Sequence, residues 1–178
     1  AIAQKYLHML LHTSLHRKWA KERLEFINSG QCNSIPYWNN KRRMLAKQDT
    51  LFSANQWRTS LANLIESNPQ NKMAADYLLC FHLLNKDLKL FKKDYDRYYY
   101  PTFGLLPPRL YQEALIVCMD EKDDPQEQLK HYRIPFQVYN DCLQYLSIYE
   151  ESQGDGHALQ KQFRKTYWFY YHYAQLKP

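Results

Sequence analysis

Apolar residues recur at helical spacing along most of this chain. From Ile2 to about Asn28, Leu7, Leu11, Leu15 and Trp19 lie four apart, joined by Leu10, Leu24 and Ile27, and Gly30 supplies a C-terminal stop. This spacing predicts one long opening helix over residues 1–30. Pro36 and the Asn39-Asn40 pair mark an irregular connection into Lys41-Arg42-Arg43, where any domain edge should fall. Ser53 is the expected N-cap of a helix carrying Trp57, Leu61, Leu64 and Ile65, which stops before Asn68-Pro69 because proline pushes its predecessor out of the helical region. Asn71 caps the next helix, which carries Ala74, Leu78, Phe81 and Leu84 and turns at Asn85-Lys86. Asp87 then caps a helix through Leu88, Phe91 and Tyr95 that Pro101 should end.

Pro107 and Pro108 suit the first turn of a helix with Leu110, Tyr111, Ala114, Leu115 and Cys118, since a proline there forfeits no intrahelical bond. An acidic break over residues 120–124 precedes a short helix near Gln128 to Tyr132. Pro135 opens another, with Val138, Tyr139, Cys142, Leu143 and Leu146, to about Glu151. Gly154 and Gly156 make the last turn. A final helix from Ala158 to about Leu176 starts with a stripe of Leu159, Phe163 and Tyr167 and then becomes aromatic on every side. That end cannot be freely solvated, and core packing is its expected fate.

Composition agrees with helices. Twenty-four leucines stand against two valines, seven isoleucines and five threonines, so residues that suit a pleated sheet are scarce and the fold class is all-α. An apolar fraction of 45% with only four glycines excludes disordered and Gly-rich linker classes. At 178 residues, a single helical domain spanning 1–178 is expected, with a hairpin array over 53–178. Because Ala1 and not Met opens the chain, it is expected to be the C-terminal part of a longer protein.

The net charge of +6 is unevenly placed. Residues 1–58 hold ten basic and three acidic groups, a formal +7, whereas the other 120 residues hold 14 and 15. Arg17, Lys18, Lys41, Arg42 and Arg43 are therefore the candidates for contact with phosphates, on anionic lipid or, less favoured, on RNA. The commoner explanation of such residues is a solvated helix face.

Local signatures of chemistry are missing. There is no G-x-S-x-G, H-E-x-x-H, P-loop or dinucleotide glycine fingerprint, and a non-enzymatic chain without a cofactor is expected. Cys32, Cys80, Cys118 and Cys142 are far apart with no C-x-x-C pair, and act as small buried hydrophobes on the preferred reading. His8, His12 and His16 share one side of the predicted opening helix, but the outer two are about 12 Å apart, too far for one zinc. Histidines bordering a packed face are the plainer account, and no metal is assigned. Tyr111, Gln112 and Glu113 form a polar patch near a helix start, where the helix dipole favours a carboxylate. Aromatic residues make up 16% of the chain; among them Tyr98, Tyr99, Trp168 and Tyr171 are the candidates for an aromatic partner surface.

Asn68-Pro69-Gln70-Asn71, followed by Ala74, Leu78 and the Lys86-Asp87-Leu88 turn, resembles a tetratricopeptide-type helix pair. It departs from that pattern in having Leu79 where a small residue is expected and Lys86 where glycine is usual. The resemblance implies antiparallel helix pairs stacked in a short irregular tetratricopeptide-like array. Asn68 to Ala74, Tyr77-Leu78-Leu79, Leu83 to Leu88, Leu106-Pro107, Tyr111 to Leu115 and Tyr167 to Tyr171 also resemble an uncharacterised Bacteroidetes family that pairs a multi-spanning membrane region with a soluble helical tail. That resemblance implies a membrane-associated domain, extracytoplasmic or alternatively cytoplasmic, with no catalytic residues to carry over. The expected function is a protein-interaction domain that binds a protein or peptide partner.

Overall fold

The computed structural model describes residues 2–44, 56–104, 106–120 and 124–175, and among these every regular element is helical. The chain divides into two compact units, 1–47 and 48–178.

In the first unit the predicted long helix is two. Helix α1 (Ile2–Leu10) and α2 (Arg17–Asn28) form an antiparallel hairpin, closed at its open end by a hydrogen bond of 3.1 Å from Gln4 Nε2 to Asn28 Oδ1. The break has a local cause: the Thr13 hydroxyl donates to the Leu10 carbonyl at 2.8 Å, and such side-chain bonds compete with the helical ladder. Leu7, Ala20 and Leu24 make the small core. Leu15, predicted on the same stripe, falls in the turn and is 83% exposed. Gly30, at φ +73°, leads into a 3₁₀ turn (Gln31–Asn33), and Pro36 opens α3 (Pro36–Arg43).

The second unit carries α4 (Trp57–Ser67), α5 (Lys72–Leu84) and α6 (Leu88–Asp94), as the Asn-Pro break and two caps predict. Asn71 accepts from Ala74 N–H at 3.2 Å and Asp87 from Leu90 N–H at 3.0 Å. Ser53, the expected cap of α4, lies outside the described residues. Pro101 does not end the third helix. One wide π-type turn, Tyr95–Tyr99, follows α6 and shifts the ladder so that Tyr100 N–H bonds the Tyr95 carbonyl. The proline is then taken into α7 (Tyr100–Phe103), where its missing N–H falls in a first turn. Gly104 ends the run; a Cβ there would sit 2.5 Å from the Tyr100 carbonyl oxygen.

Helices α8 (Arg109–Val117) and α10 (Phe136–Glu151) start beside their prolines as predicted, whereas α9 (Pro125–His131) begins at Pro125, ahead of the expected Gln128. The predicted final helix again splits, into α11 (Gly156–Phe163) and α12 (Tyr167–Tyr173). Thr166 divides them, its hydroxyl donating to the Phe163 carbonyl and accepting from Phe169 N–H. The break lets the all-aromatic segment pack on α8 and α11 as a helix of its own. The core runs through Leu78, Phe91, Tyr95, Ala114, Tyr145 and Leu159, all fully buried.

Three helices of this unit end with the same closure. After α5, Asp87 N–H bonds the His82 carbonyl and Lys86 N–H that of Leu83. Ile134 and Arg133 repeat the pattern after α9, and Gly154 and Gln153 after α10. This motif requires a left-handed residue, usually glycine, yet Lys86, Arg133 and Gln153 occupy it at φ of 56°, 54° and 52°. Lys86 has a compensating role, since its ammonium donates to the Ala174 carbonyl at 2.5 Å. Arg133→Gly and Gln153→Gly should each raise unfolding free energy in urea titrations by about 0.5–1 kcal/mol, the left-handed penalty less the entropy glycine adds to the unfolded chain. Lys86→Gly should show no such gain.

Candidate interaction surface

Two buried carboxylates fix the helices of the second unit. Asp94, at the end of α6, accepts from His82 Nε2 at 2.9 Å and from Arg58 Nη2 at 2.9 Å, joining α4, α5 and α6. Burial opposes its charge, but the hydrogen bonds from His82 and Arg58 and the guanidinium charge win, holding the carboxyl below the ordinary aspartate range. Glu113, on α8, accepts from Arg109 Nε and from the first backbone N–H of α12, at Tyr167, both at 2.7 Å. Its own carbonyl takes the Trp168 indole N–H at 3.0 Å. The polar patch expected at Tyr111, Gln112 and Glu113 is thus interior: all three are buried, and Glu113 serves the N-terminus of a neighbouring helix and not its own.

These ties hold α5 with one face inward. Ala74, Ala75, Leu78, Leu79, His82 and Leu83 are buried. The opposite face is not polar. Met73, Tyr77, Phe81 and Leu84, at i, i+4, i+8 and i+11, are 59%, 64%, 40% and 58% exposed. A surface helix ordinarily turns charge outward, so an apolar outer stripe is a candidate contact surface. Two dents flank it. One, of about 350 Å³, is floored by Leu83, Leu84 and Leu110 and edged by Arg164 and Lys165. The other, of about 370 Å³, lies along Met73, Asp76 and Tyr77, and both reach Cys80. Arg164 and Lys165 are exposed and make no ion pair among the described residues. Lys72, by contrast, is paired with Asp76 at 2.7 Å.

The residues singled out from sequence are dispersed. Arg17 and Lys18 are exposed in the first turn of α2, and Lys41, Arg42 and Arg43 in the last turn of α3, where cations answer the helix dipole. Arg42 is engaged locally, with the Asn33 side chain and, at 3.1 Å, with Cys32 Sγ. Lys41 lies over the Tyr37 ring at 5.7 Å. Of the aromatic candidates, Tyr99 and Trp168 are core residues at 1% and 2% exposure and cannot form an outer surface. Tyr98 is half-buried and donates to Glu66 at 2.9 Å. Tyr171 is half-buried and, with Trp168, lines a separate cavity. His8, His12 and His16 do not share a helix face, because the turn after Leu10 separates them. Among the described residues no cluster of His, Cys, Asp and Glu is arranged to hold a metal, and no helix is long and apolar enough to cross a membrane.

The outer stripe of α5 was legible as Met73, Tyr77, Phe81 and Leu84, but beside Ala74 and Leu78 it reads as one wide core face. Only the packing shows that two faces are apolar and that, among the described residues, the outer one stays exposed apart from Phe81, whose ring meets that of Trp57 with centroids 3.6 Å apart.

A model of a family of unknown function, DUF6057, matches residues 1–174, and the chain belongs to that family. No curated protein and no solved structure matches it.

The Asp94 node generates a prediction. Its folded-state pKa lies below the unfolded value near 4, so its contribution is complete above that value and is lost as pH falls through the lower folded value. Asp94→Asn should cost about 3 kcal/mol near neutral pH, and denaturation curves across pH should show a shallower acid decline for the variant than for the parent.

Proposed function

We propose that this chain is a non-enzymatic helical interaction domain, a short irregular array of tetratricopeptide-like helix pairs, whose α5 face docks an amphipathic helix from a partner protein. The observation that carries the reading is the exposed stripe Met73, Tyr77, Phe81 and Leu84 on a helix whose other face is already buried. Met73 to Leu84 spans about 16 Å, three turns of helix, and the two dents beside it suit the ridges of a second helix. Arg164 and Lys165 at one rim favour carboxylates flanking the partner's apolar face. The resemblance to a family with a membrane region supports a further element of the proposal, that the domain is the soluble tail of a membrane protein and recruits its partner there.

The test is selection from a displayed library of helical peptides about sixteen residues long. Enriched sequences should carry apolar residues at i, i+3 or i+4 and i+7, flanked by Asp or Glu. Tyr77→Glu and Leu84→Glu should each weaken the selected peptides at least tenfold, about 1.4 kcal/mol. Arg164→Glu with Lys165→Glu should weaken them and flatten the salt dependence. A failure to enrich, or equal binding by the Tyr77→Glu variant, refutes the docking face.

A second reading concerns the first unit, where Arg17, Lys18, Lys41 and Arg43 are exposed on two helix ends. It proposes that these residues rest on anionic lipid headgroups. Binding to phosphatidylserine vesicles should fall steeply between low and physiological salt and drop when Lys41, Arg42 and Arg43 are replaced by glutamine. Absence of binding at low salt removes it.

A further inference from the structure

The second unit has another concavity, of about 540 Å³, bordered by the end of α8, the start of α9, α10 and α12. That volume lies in the range that holds a small organic molecule. Its walls are apolar and aromatic: Val117 and Met119 at the end of α8, Leu143 and Leu146 from α10, Trp168 and Tyr171 from α12. Burial pushes the Cys142 thiol up to about 12, so it stays an uncharged part of the wall.

The charges around it are of both signs and already committed. Asp120, exposed at the rim, has a partner of its own. The Arg109 guanidinium lies 5.8 Å from the Trp168 ring centre, but it is bonded to Glu113 and Asp141, both at 2.7 Å. The Lys86 ammonium lies 5.9 Å from the Tyr171 ring centre and donates to the Ala174 carbonyl. An anionic or a cationic head would therefore find no unspent counter-charge, and burying an ion without one is costly. The occupant that such walls accept is neutral.

One polar atom then sets what that occupant carries. The Tyr145 hydroxyl lies 2.6 Å from His172 Nδ1 and 3.3 Å from the Trp168 carbonyl. A hydroxyl has a single proton, so both contacts are hydrogen bonds at once only if Tyr145 donates to the carbonyl and accepts from Nδ1–H. His172 is neutral near pH 7, because partial burial and then the Lys86 charge lower its pKa. Its Nε2 is left as a bare acceptor, without a hydrogen-bond partner among the described residues, on a side chain that lines the cavity. The Tyr139 and Tyr171 hydroxyls of the wall can donate or accept and so do not discriminate, whereas Nε2 can only accept. We propose that this cavity binds a neutral, apolar organic molecule of about ten to twenty heavy atoms that presents a hydroxyl to His172 Nε2. The site is separate from the α5 face and does not depend on it.

Equilibrium dialysis of the full chain near pH 7 against 2-naphthol, 2-methoxynaphthalene, 2-naphthoate and 2-naphthylmethylammonium tests the assignment. These probes share a ring system and differ in charge and in the hydroxyl proton. One saturable equivalent of naphthol should bind at least tenfold more tightly than either ion and about fivefold more tightly than the methyl ether. His172→Phe keeps a ring against Tyr149 and should bring naphthol down to the level of the ether. Leu143→Glu and Leu146→Glu, each at a half-exposed wall position, should lower naphthol affinity at least fivefold with unchanged melting curves. Tyr77→Glu should change nothing. Either ion or the ether binding the parent as tightly as naphthol, a naphthol preference that survives His172→Phe, full affinity in both glutamate variants, or no saturable binding at all overturns the proposal.

Discussion

The second unit depends on seating a helix that water cannot accept. Helix α12 is seven aromatic or histidine residues, and its burial strands a backbone N–H and an indole N–H unless acceptors are waiting. Glu113 supplies both, by its carboxylate and by its carbonyl. Its charge is in turn balanced by Arg109, which also reaches Asp141 on α10 at 2.7 Å. The outward bonds of α12 follow from this one. Tyr167 and Tyr170 donate to the last carbonyls of α5, at Leu83 and Leu84, the first of which also takes the Lys86 N–H of the closing turn. Tyr173 donates to Gly154 beyond the end of α10. Each tyrosine packs a ring against the core and donates its hydroxyl to a backbone carbonyl at or beyond a helix end.

The same helix makes a wall of two concave sites. Tyr167 and Tyr170 border the dent beside α5, whereas Trp168, Tyr171 and His172 border the cavity between α8 and α10. Successive residues of a helix point about 100° apart, so a short aromatic helix wedged between two helix layers necessarily furnishes surface to both. A run with one polar face could not. Thus the segment that resists solvation also lends aromatic walls to two of the concavities of this unit.

What was legible in the sequence was local. Asn71, Asp87 and the proline start of α10 act through residues two to four positions away, and their caps and start fall where the spacing predicts, whereas Pro36, read as part of an irregular connection, opens α3. The misplaced ends share another cause. At Thr13 and Thr166 a hydroxyl bonds a carbonyl three residues back, a choice that competes on nearly equal terms with continuing the helix and is decided by packing. Pro101 was misleading because the π-type turn before it moves the ladder by one residue. Glu113 could not be assigned at all: its partner lies 54 positions away, and nothing in Tyr111-Gln112-Glu113 distinguishes an exposed patch from a buried cap. Nor could the free face of α5 be seen, since which apolar stripe finds a neighbour is a property of the whole array.

The buried ionisable groups bear on how the domain is used. Asp94 meets Arg58 and His82, Glu113 meets Arg109 and a helix terminus, and Tyr111 donates to Asp76. Lys92, Tyr132 and Asp96 close on one another. A general acid or base must keep a bond free for the substrate, whereas every group named here spends its capacity joining two helices or completing a helix end. Burial pushes the Tyr111 hydroxyl well above the ordinary tyrosine range, with Cys80 and Asp76 adding to it, and burial raises the Cys118 thiol to about 12, so neither offers an anion near neutral pH. Polar groups committed inward leave apolar and aromatic surface outward on α5 and in the cavity beside α10 and α12.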